Sequence, residues 1–356
     1  MPLTRKSSSR RPRLEQLDLT NNIKLVVKDN VLAVISNDRL KTVSSAIFNG
    51  GYQQVKAVLN IGVPEGYSNV SLHLDPMQLI TSSAAKIGVS KDYLAMVTAA
   101  KIYNYSLMTK KTDEFSVSVA ATAGCSHGES SGEKIDVEEI TGTINIIVFI
   151  DGNPTDSCLV AALITATEAK SAVLRDFDMR SRYTGDSATG SITDSVTVAT
   201  NGVGDPIMLA GPASKLGQVV GQCTRRAVKD ALLKQEPYWE CRTVLYRLKE
   251  RHLPVEKLAT EVSKVKGLEI DVKGLIELLS RNPLAAGWLL AAAKMDDDYK
   301  KNLLPADFED WNEFTRSFGA YTPSKHDFSK LPNYSQVNLP PFVKYALIRI
   351  IQESSS

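Results

Sequence analysis

The chain has 356 residues, with 42 basic and 40 acidic side chains, a net charge of +2, 43% hydrophobic residues and 23% charged ones. These are the proportions of a globular chain, and the length allows one large domain or two smaller ones. The longest small-and-apolar run, Leu284 to Ala293, falls well short of the roughly 20 residues of a spanning helix, and the basic N-terminus meets polar residues where a secretory signal would be apolar, so integral membrane and exported proteins are not expected.

Arg5, Lys6, Arg10, Arg11 and Arg13 crowd residues 1–14, which hold no acid, so the remainder is slightly acidic. A near-neutral body offers no electrostatic footprint for a nucleic-acid groove. The leader reads as a disordered basic tail. Four cysteines (Cys125, Cys158, Cys223, Cys241) lie far apart, which fits a reduced compartment and a cytoplasmic location. Four histidines (His73, His127, His252, His326) show no metal-binding spacing, so no metal and no resident cofactor are expected.

In chain order, residues 23–36 read as two β segments broken by a turn at Asp29-Asn30. Asn49-Gly50-Gly51 marks a backbone site that wants unusual dihedrals. Residues 76–87 look helical, and Tyr93 to Ala100 and Phe115 to Thr122 are buried segments, the second alternating as a strand does. Thr143 to Ile150 is nearly continuous β-branched and apolar, the pattern of a central strand buried on both faces. Asp151 to Thr155 is turn chemistry, and a helix is predicted from there to about Leu174. Ser191 to Thr200 reads as a strand and Gly202 to Gly211 as a loop. Leu216 to Leu233 reads as a helix with Leu216, Val219, Val220, Cys223, Ala227, Leu232 and Leu233 inward. Beyond Glu236-Pro237 come helical runs at 238–252, 255–264, 272–280 and 283–294, a Pro-dotted aromatic stretch from Pro305 to Pro341, and a last helix at 342–352. The expected fold is α/β: a mixed β-sheet core packed with helices over 15–235, after the tail 1–14, and a mostly helical region over 236–356.

Three polar constellations interrupt core-like segments. Thr122-Ala123-Gly124-Cys125-Ser126-His127 follows a strand, and its small residues let a ligand approach the backbone. Cys125 and His127 suit a nucleophile and base, or equally a plain buried thiol. In Thr165-Ala166-Thr167-Glu168-Ala169-Lys170, Thr165 and Glu168 share a helix face with Cys158, Ala161 and Ala162. A carboxylate leaning from so apolar a face would be poorly solvated, which suits a general acid or base, unless it is a surface Glu beside Lys170. In Ala188-Thr189-Gly190-Ser191-Ile192-Thr193-Asp194-Ser195, an extended backbone would align Thr189, Ser191, Thr193 and Ser195. Alternatively, Asp194 caps a turn.

These landmarks come in a fixed series: Asn49-Gly50-Gly51, Asn60, Val97-Thr98-Ala99-Ala100, Thr122-Ala123-Gly124, Gly142-Thr143-Ile144-Asn145, then the segments around Glu168 and Asp194. Over roughly residues 40–235 the series resembles the adenosylcobinamide amidohydrolase family of corrinoid salvage. It departs from the family wording at Cys125-Ser126-His127 and in the loop 201–215. The resemblance implies hydrolysis of the amide that joins a corrin-ring propionate to aminopropanol, giving adenosylcobyric acid for cobalamin biosynthesis. The partner is then a small-molecule corrinoid, with cobalt present only as part of that substrate, and a homo-oligomer stays open.

On that basis Glu168 is expected as general base on water and Asp194 as orienting group or proton donor. Asn145, Thr189 and the Gly124 or Gly190 backbone would stabilise the tetrahedral oxygen. The covalent alternative has Thr189, Ser191 or Thr167 attack, activated by Glu168 or Lys170. Asn49, Gly50, Gly51, Asn60, Thr122, Gly124, Thr165, Thr167, Lys170, Gly190 and Thr193 are the expected substrate-binding residues. Rival readings are a non-catalytic corrinoid-binding protein, a hydrolase of another amide that uses His127, and an interaction protein built on 236–356.

Overall fold

The computed structural model describes residues 15–64, 75–125, 128–134, 142–304 and 334–354. The tail 1–14, His73, Ser126, His127, Trp311, His326 and most of the aromatic stretch after Pro305 lie outside the described residues.

The chain divides into two compact units: residues 1–179 with 187–240, and residues 180–186 with 241–356. The first is built on a mixed sheet of nine strands among the described residues. They are β1 (Glu15–Thr20), β2 (Ile23–Lys28), β3 (Val31–Ser44), β4 (Gly51–Gly62), β5 (Tyr93–Thr98), β6 (Ser106–Lys111), β7 (Ser116–Gly124), β8 (Thr143–Asp151) and β10 (Ser195–Thr200). A separate two-residue pair joins β9 (Asn153–Pro154) to β11 (Pro206–Ile207). The strand order is β1-β2-β3-β10-β8-β7-β6, and β4 pairs with both β3 and β5. β8 runs parallel to β10 and antiparallel to β7, as the α/β expectation of a mixed sheet requires.

The turn between β2 and β3 sits where the sequence places it, with Asp29 and Asn30 both at positive φ (49° and 62°), the geometry of a tight hairpin. β3 is long enough to serve two partners on one side. Its first half pairs with β2, its last four residues pair with β10, and a register break between Ile35 and Leu40 bends it. That bend curls the sheet until β5 overlies the start of β8, where Asn145 Nδ2 donates to the Val97 carbonyl at 3.0 Å.

The two faces of the curled sheet have separate cores. Ile144, Ile146, Val148 and Ile150 face α2 (Asp156–Asp176) and α3 (Lys215–Gln235), whereas Ile147 and Phe149 face the concave side with Leu94, Met96 and Ala199. β8 is therefore apolar on both faces, which is why its sequence lacks alternation. α1 (Pro76–Lys86) covers β4 through Leu79 and Ile80. α2 opens at Thr155, whose side chain accepts from the Cys158 N–H, and α3 at Ser214, which accepts from the Gly217 N–H. By length and composition α2, rather than 284–293, is the apolar stretch that approaches a membrane span. Its buried face and the inward Lys170 are those of a core helix.

The second unit is helical: α4 (Val244–Lys249), α5 (Val255–Val262), α6 (Val272–Arg281), α7 (Pro283–Lys300) and α8 (Pro341–Ser354). The run expected at 238–252 is instead a 3₁₀ turn at Pro237–Glu240, in the first unit, and the short α4, because Thr243 caps a new helix start. Leu248, Leu258, Leu275, Leu289, Phe342 and Leu347 are central to this unit's own core. Asp296 is buried there and accepts the N–H groups of Phe342 and Val343 at 2.9 and 2.8 Å, capping α8. Burial pushes its carboxyl up to about 7.

Candidate functional site

The segment from Ser191 to Asp194 is a turn and β10 begins at Ser195 rather than at Ser191, so of the two readings of this segment the structure takes the one in which Asp194 closes a turn, and the hydroxyls are not aligned. The turn wraps its own carboxylate. Asp194 Oδ1 accepts the Ile144 N–H at 2.8 Å and the Ser191 hydroxyl at 2.5 Å, and Oδ2 accepts Lys170 Nζ at 2.6 Å and the Ser191 N–H at 3.0 Å. The Lys170 and Asp194 side chains are only 8% and 9% exposed. Lys170 reaches the turn because α2 lies along β10 with this residue inward, its aliphatic stem among apolar neighbours and its ammonium under the loop.

Gly190 makes room for the pair. A Cβ there would lie 2.6 Å from Asp194 Oδ2 and 2.7 Å from Lys170 Nζ. Four donors occupy about all the lone-pair sites of one carboxylate, so Asp194 organises the segments around it. The loop is tied further by hydrogen bonds between the Glu129 and Gly190 backbones. Ser131 N–H donates to Thr189 Oγ1 at 3.0 Å, and Ser171 Oγ donates to the Thr189 carbonyl at 2.9 Å. Thr193 Oγ1 meets Thr143 Oγ1 at 2.7 Å, and both reach the Gly142 carbonyl. Three segments far apart in sequence, around Asn145, Glu168 and Asp194, thus converge.

The loop separates two depressions. An inner cavity of about 400 Å³ opens at the curled sheet's mouth, where Ser45, Thr98, Thr143, Thr193, Asp194 and Ser195 supply polar groups and Ile47, Val63, Pro76 and Ile192 an apolar rim. An outer groove of about 770 Å³ runs between α2 and α3, lined by Thr165, Thr167, Glu168, Arg175, Thr189 and Arg225 among others. Glu168 and Asp194, expected to work together, therefore line different depressions. Glu168 is exposed, and the apolar shelter that the sequence pattern suggested for it is absent. Thr165 is buried and donates to the Ala210 carbonyl at 2.7 Å, and Thr167 donates to the Leu163 carbonyl at 2.9 Å.

The remaining predicted residues build the scaffold. Asn145, Asn60 and Thr122 form a buried chain on the concave face: Asn145 Nδ2 donates to Asn60 Oδ1 at 2.9 Å, and Asn60 Nδ2 donates to Thr122 Oγ1 at 2.8 Å. The Val97 carbonyl can only accept, which orients both amides. Both Asn145 amide protons are then spent, so this side chain has none left for a reaction intermediate. Its Oδ1 has no donor among the described residues. Asn49, at φ 52°, donates to the Tyr93 carbonyl at 2.9 Å, and a Cβ on Gly50 would lie 2.3 Å from the Ala46 carbonyl oxygen. With Gly51 at φ 82° they turn the chain from β3 into β4 and line neither depression. Gly124 packs against Ala100, where a Cβ would come within 3.3 Å. Cys125 is buried, and burial above all, then the charges of Asp194, Glu236 and Glu129, pushes its thiol well up, against a thiolate nucleophile.

Ser45 and Ile47 were not singled out from the sequence, because only the bend in β3 brings them to the cavity. Thr98 stood in a noted segment without a role, and Ser195 only as the last of a row of hydroxyls. Arg175 and Arg225 carry no sequence signal for the groove.

Residues 16–239 match the CbiZ family, described as adenosylcobinamide amidohydrolase. An uncharacterized protein of Methanocaldococcus jannaschii is 30% identical over 208 residues, 52% of this chain and 80% of its own. The adenosylcobinamide amidohydrolase of Methanosarcina mazei is 30% identical over 194 residues, 54% of this chain and 83% of its own. A Pyrococcus horikoshii protein of known crystal structure aligns at 8% identity and a TM-score of 0.31, over 60% of this chain and 82% of its own, too low to carry an argument. The matched residues contain the Lys170–Asp194 pair, the inner cavity and the outer groove, and the chain belongs to the adenosylcobinamide amidohydrolase family.

Proposed function

We propose that this chain hydrolyses the amide between the corrin-ring propionate and aminopropanol of adenosylcobinamide, releasing aminopropanol and adenosylcobyric acid. The observation that carries this reading is the convergence of three family segments on one buried, Lys170-paired carboxylate beside a hydroxyl-lined cavity, inside the family-matched region. The scissile amide lies in a side arm of a large macrocycle. A cavity of about 400 Å³ suits the end of such an arm, and the apolar rim of Ile47, Val63, Pro76 and Ile192 suits its alkyl part. The uncharged hydroxyls of the cavity suit a neutral amide better than an anion.

Chemically, water adds to the amide carbon, the carbonyl oxygen becomes an oxyanion, and the C–N bond breaks as the nitrogen takes a proton. In our assignment Asp194 accepts the proton from water and returns it to the leaving nitrogen. Lys170 is the counter-ion of Asp194 in its buried place, 2.6 Å away. The Ser191 hydroxyl, the only rotatable uncharged donor on the carboxylate among the described residues, swings aside to admit the water. A positioned base of this kind contributes roughly 10²–10⁴-fold in rate. Glu168, in the outer groove, then stands apart from the chemistry.

The test is incubation of the purified full chain with adenosylcobinamide in EDTA, followed by mass spectrometry. Loss of aminopropanol with appearance of adenosylcobyric acid is expected. Intact substrate that co-migrates with the protein would replace hydrolysis with corrinoid binding, and intact substrate that does not bind would redirect the search to another amide.

A further inference from the structure

The inner cavity is asymmetric in its hydrogen-bonding capacity, and counting protons shows how. Ser45 Oγ accepts the Val196 N–H at 3.0 Å and lies 3.3 Å from Ser195 Oγ. The two hydroxyls have two protons between them. One is spent within the pair, whichever serine donates, and the other has no acceptor among the described residues. This end of the cavity therefore has a hydroxyl proton to give. Thr98, whose Oγ1 accepts the Ala100 N–H at 3.0 Å, adds a third hydroxyl from the β5 wall.

The other end is the reverse. Thr143 donates to the Gly142 carbonyl at 2.7 Å, and Thr193 donates either to the same carbonyl at 3.1 Å or to Thr143 at 2.7 Å. In either arrangement both protons are spent and oxygen lone pairs remain. This end can accept but not give, and it adjoins the Asp194 carboxylate.

The spacing fits one functional group. Ser195 pairs with Asn145 across the parallel strands, and Thr143 lies two residues before Asn145 on the same concave face. Two residues along the strand and one strand spacing across it together separate them by roughly 8 Å. The oxygen and nitrogen of an amide are about 2.3 Å apart, and a hydrogen bond of about 2.9 Å at each end gives a total near 8 Å. A donor and an acceptor at this separation match the C=O and N–H of a single secondary amide.

We infer that the Ser45–Ser195 hydroxyl pair is the donor to the carbonyl oxygen of the scissile amide, and that the Thr143–Thr193 pair accepts its N–H. This rests on the proposed hydrolysis and fixes the direction in which the arm enters. The charge that develops on the carbonyl oxygen meets the serines, and the leaving nitrogen lies toward Asp194, which returns the proton to it. The serines act mainly in the transition state, because the oxygen is most negative there. The threonines act on substrate and transition state alike.

The experiment combines kinetics with a soak. Ser45→Ala with Ser195→Ala should lower kcat by roughly 10²–10³-fold, the usual loss for an oxyanion donor, with KM for adenosylcobinamide within about 3-fold of wild type. Thr193→Val should raise KM more than it lowers kcat. A serine double variant whose turnover stays within about 3-fold of wild type, with its unfolding temperature unchanged, overturns the inference. If the wild type hydrolyses nothing, the hydrolytic reading fails by itself, and crystals soaked with N-methylacetamide still decide the geometry. The amide oxygen on the serines and its nitrogen on the threonines supports the assignment. A reversed amide, or water alone in the cavity, overturns it.

Discussion

The inner cavity and the outer groove share one wall, the segment from Ser187 to Ser195, yet they solvate their polar groups in opposite ways. On the cavity side the charge is Asp194, 9% exposed and wrapped by four donors. On the groove side Glu168 is exposed, and Arg225, ion-paired with Asp176, is exposed too. Electrostatic stabilisation is strongest where water is excluded and the dipoles are held before reaction begins. The larger depression is thus the poorer candidate for bond breaking, and its size suits contact with the macrocycle. Volume and chemistry point to different places on this molecule.

The largest effect should come from breaking the buried pair. Lys170→Met leaves Asp194 buried without its counter-ion, a change that typically costs about 3–5 kcal/mol. We expect a drop of many degrees in unfolding temperature and loss of turnover, and Asp194→Asn should do nearly the same. Calorimetry and the mass-spectrometric assay check both, and a stable, active Lys170→Met protein would break the comparison. Gly190→Ala should come next, since its Cβ would stand 2.6–2.7 Å from both charged atoms. Either the loop moves or the ion pair opens, and a crystal structure of this variant with turnover measured alongside shows which.

Another buried carboxylate sharpens the point by contrast. Asp296, in the helical unit, is held by two backbone N–H groups, with Asp297 beside it and Lys344 on α8 acting weakly on it. Its carboxyl is raised to about 7, so its contribution to stability is fully present below the usual carboxylate range near 4 and is lost as pH rises through about 7. Asp296→Asn should flatten the pH dependence of helical-unit unfolding between pH 4 and 7, measured by circular dichroism. An unchanged slope would show that other groups set it.

The smallest effect should be at Glu168. Glu168→Gln is expected to change kcat by less than about 3-fold, with any loss appearing in KM. If this variant binds corrinoid normally and turns nothing over, the chemistry belongs to the groove and the assignment of Asp194 as base is wrong.

Much of this was legible in the sequence because it depends on local physics. The β2–β3 turn follows from Asp29-Asn30, the doubly buried β8 from a nearly unbroken β-branched run, and the α2 start from the turn residues Asp151 to Thr155. The family resemblance also survived, since ordered short segments remain visible when overall identity is low. The pairing of Lys170 with Asp194 was not legible. A 3.6-residue period says that Thr165 and Glu168 are near one another on α2, but it does not say which of them faces the sheet. Thr165 is buried and Glu168 is exposed because of where α3 and the loop before it pack. The residues after Ala188 allow either an extended row of hydroxyls or a turn closed by Asp194, because local pattern does not distinguish the two. The Ser191–Asp194 turn prevails because it satisfies a buried carboxylate with Ser191, the Ile144 N–H and Lys170 at once.

By itself, then, the sequence determined the central strands and most of the helices, the family and the stock of polar side chains, all properties of neighbouring residues or of ordered segments. The bend in β3 that brings Ser45 to the cavity, the burial of Lys170 against Asp194, and the division of Glu168 from Asp194 were decided only by the tertiary structure. The physical reason is that burial and hydrogen-bond partnership are set by which distant surfaces close upon a residue, and no local pattern records that.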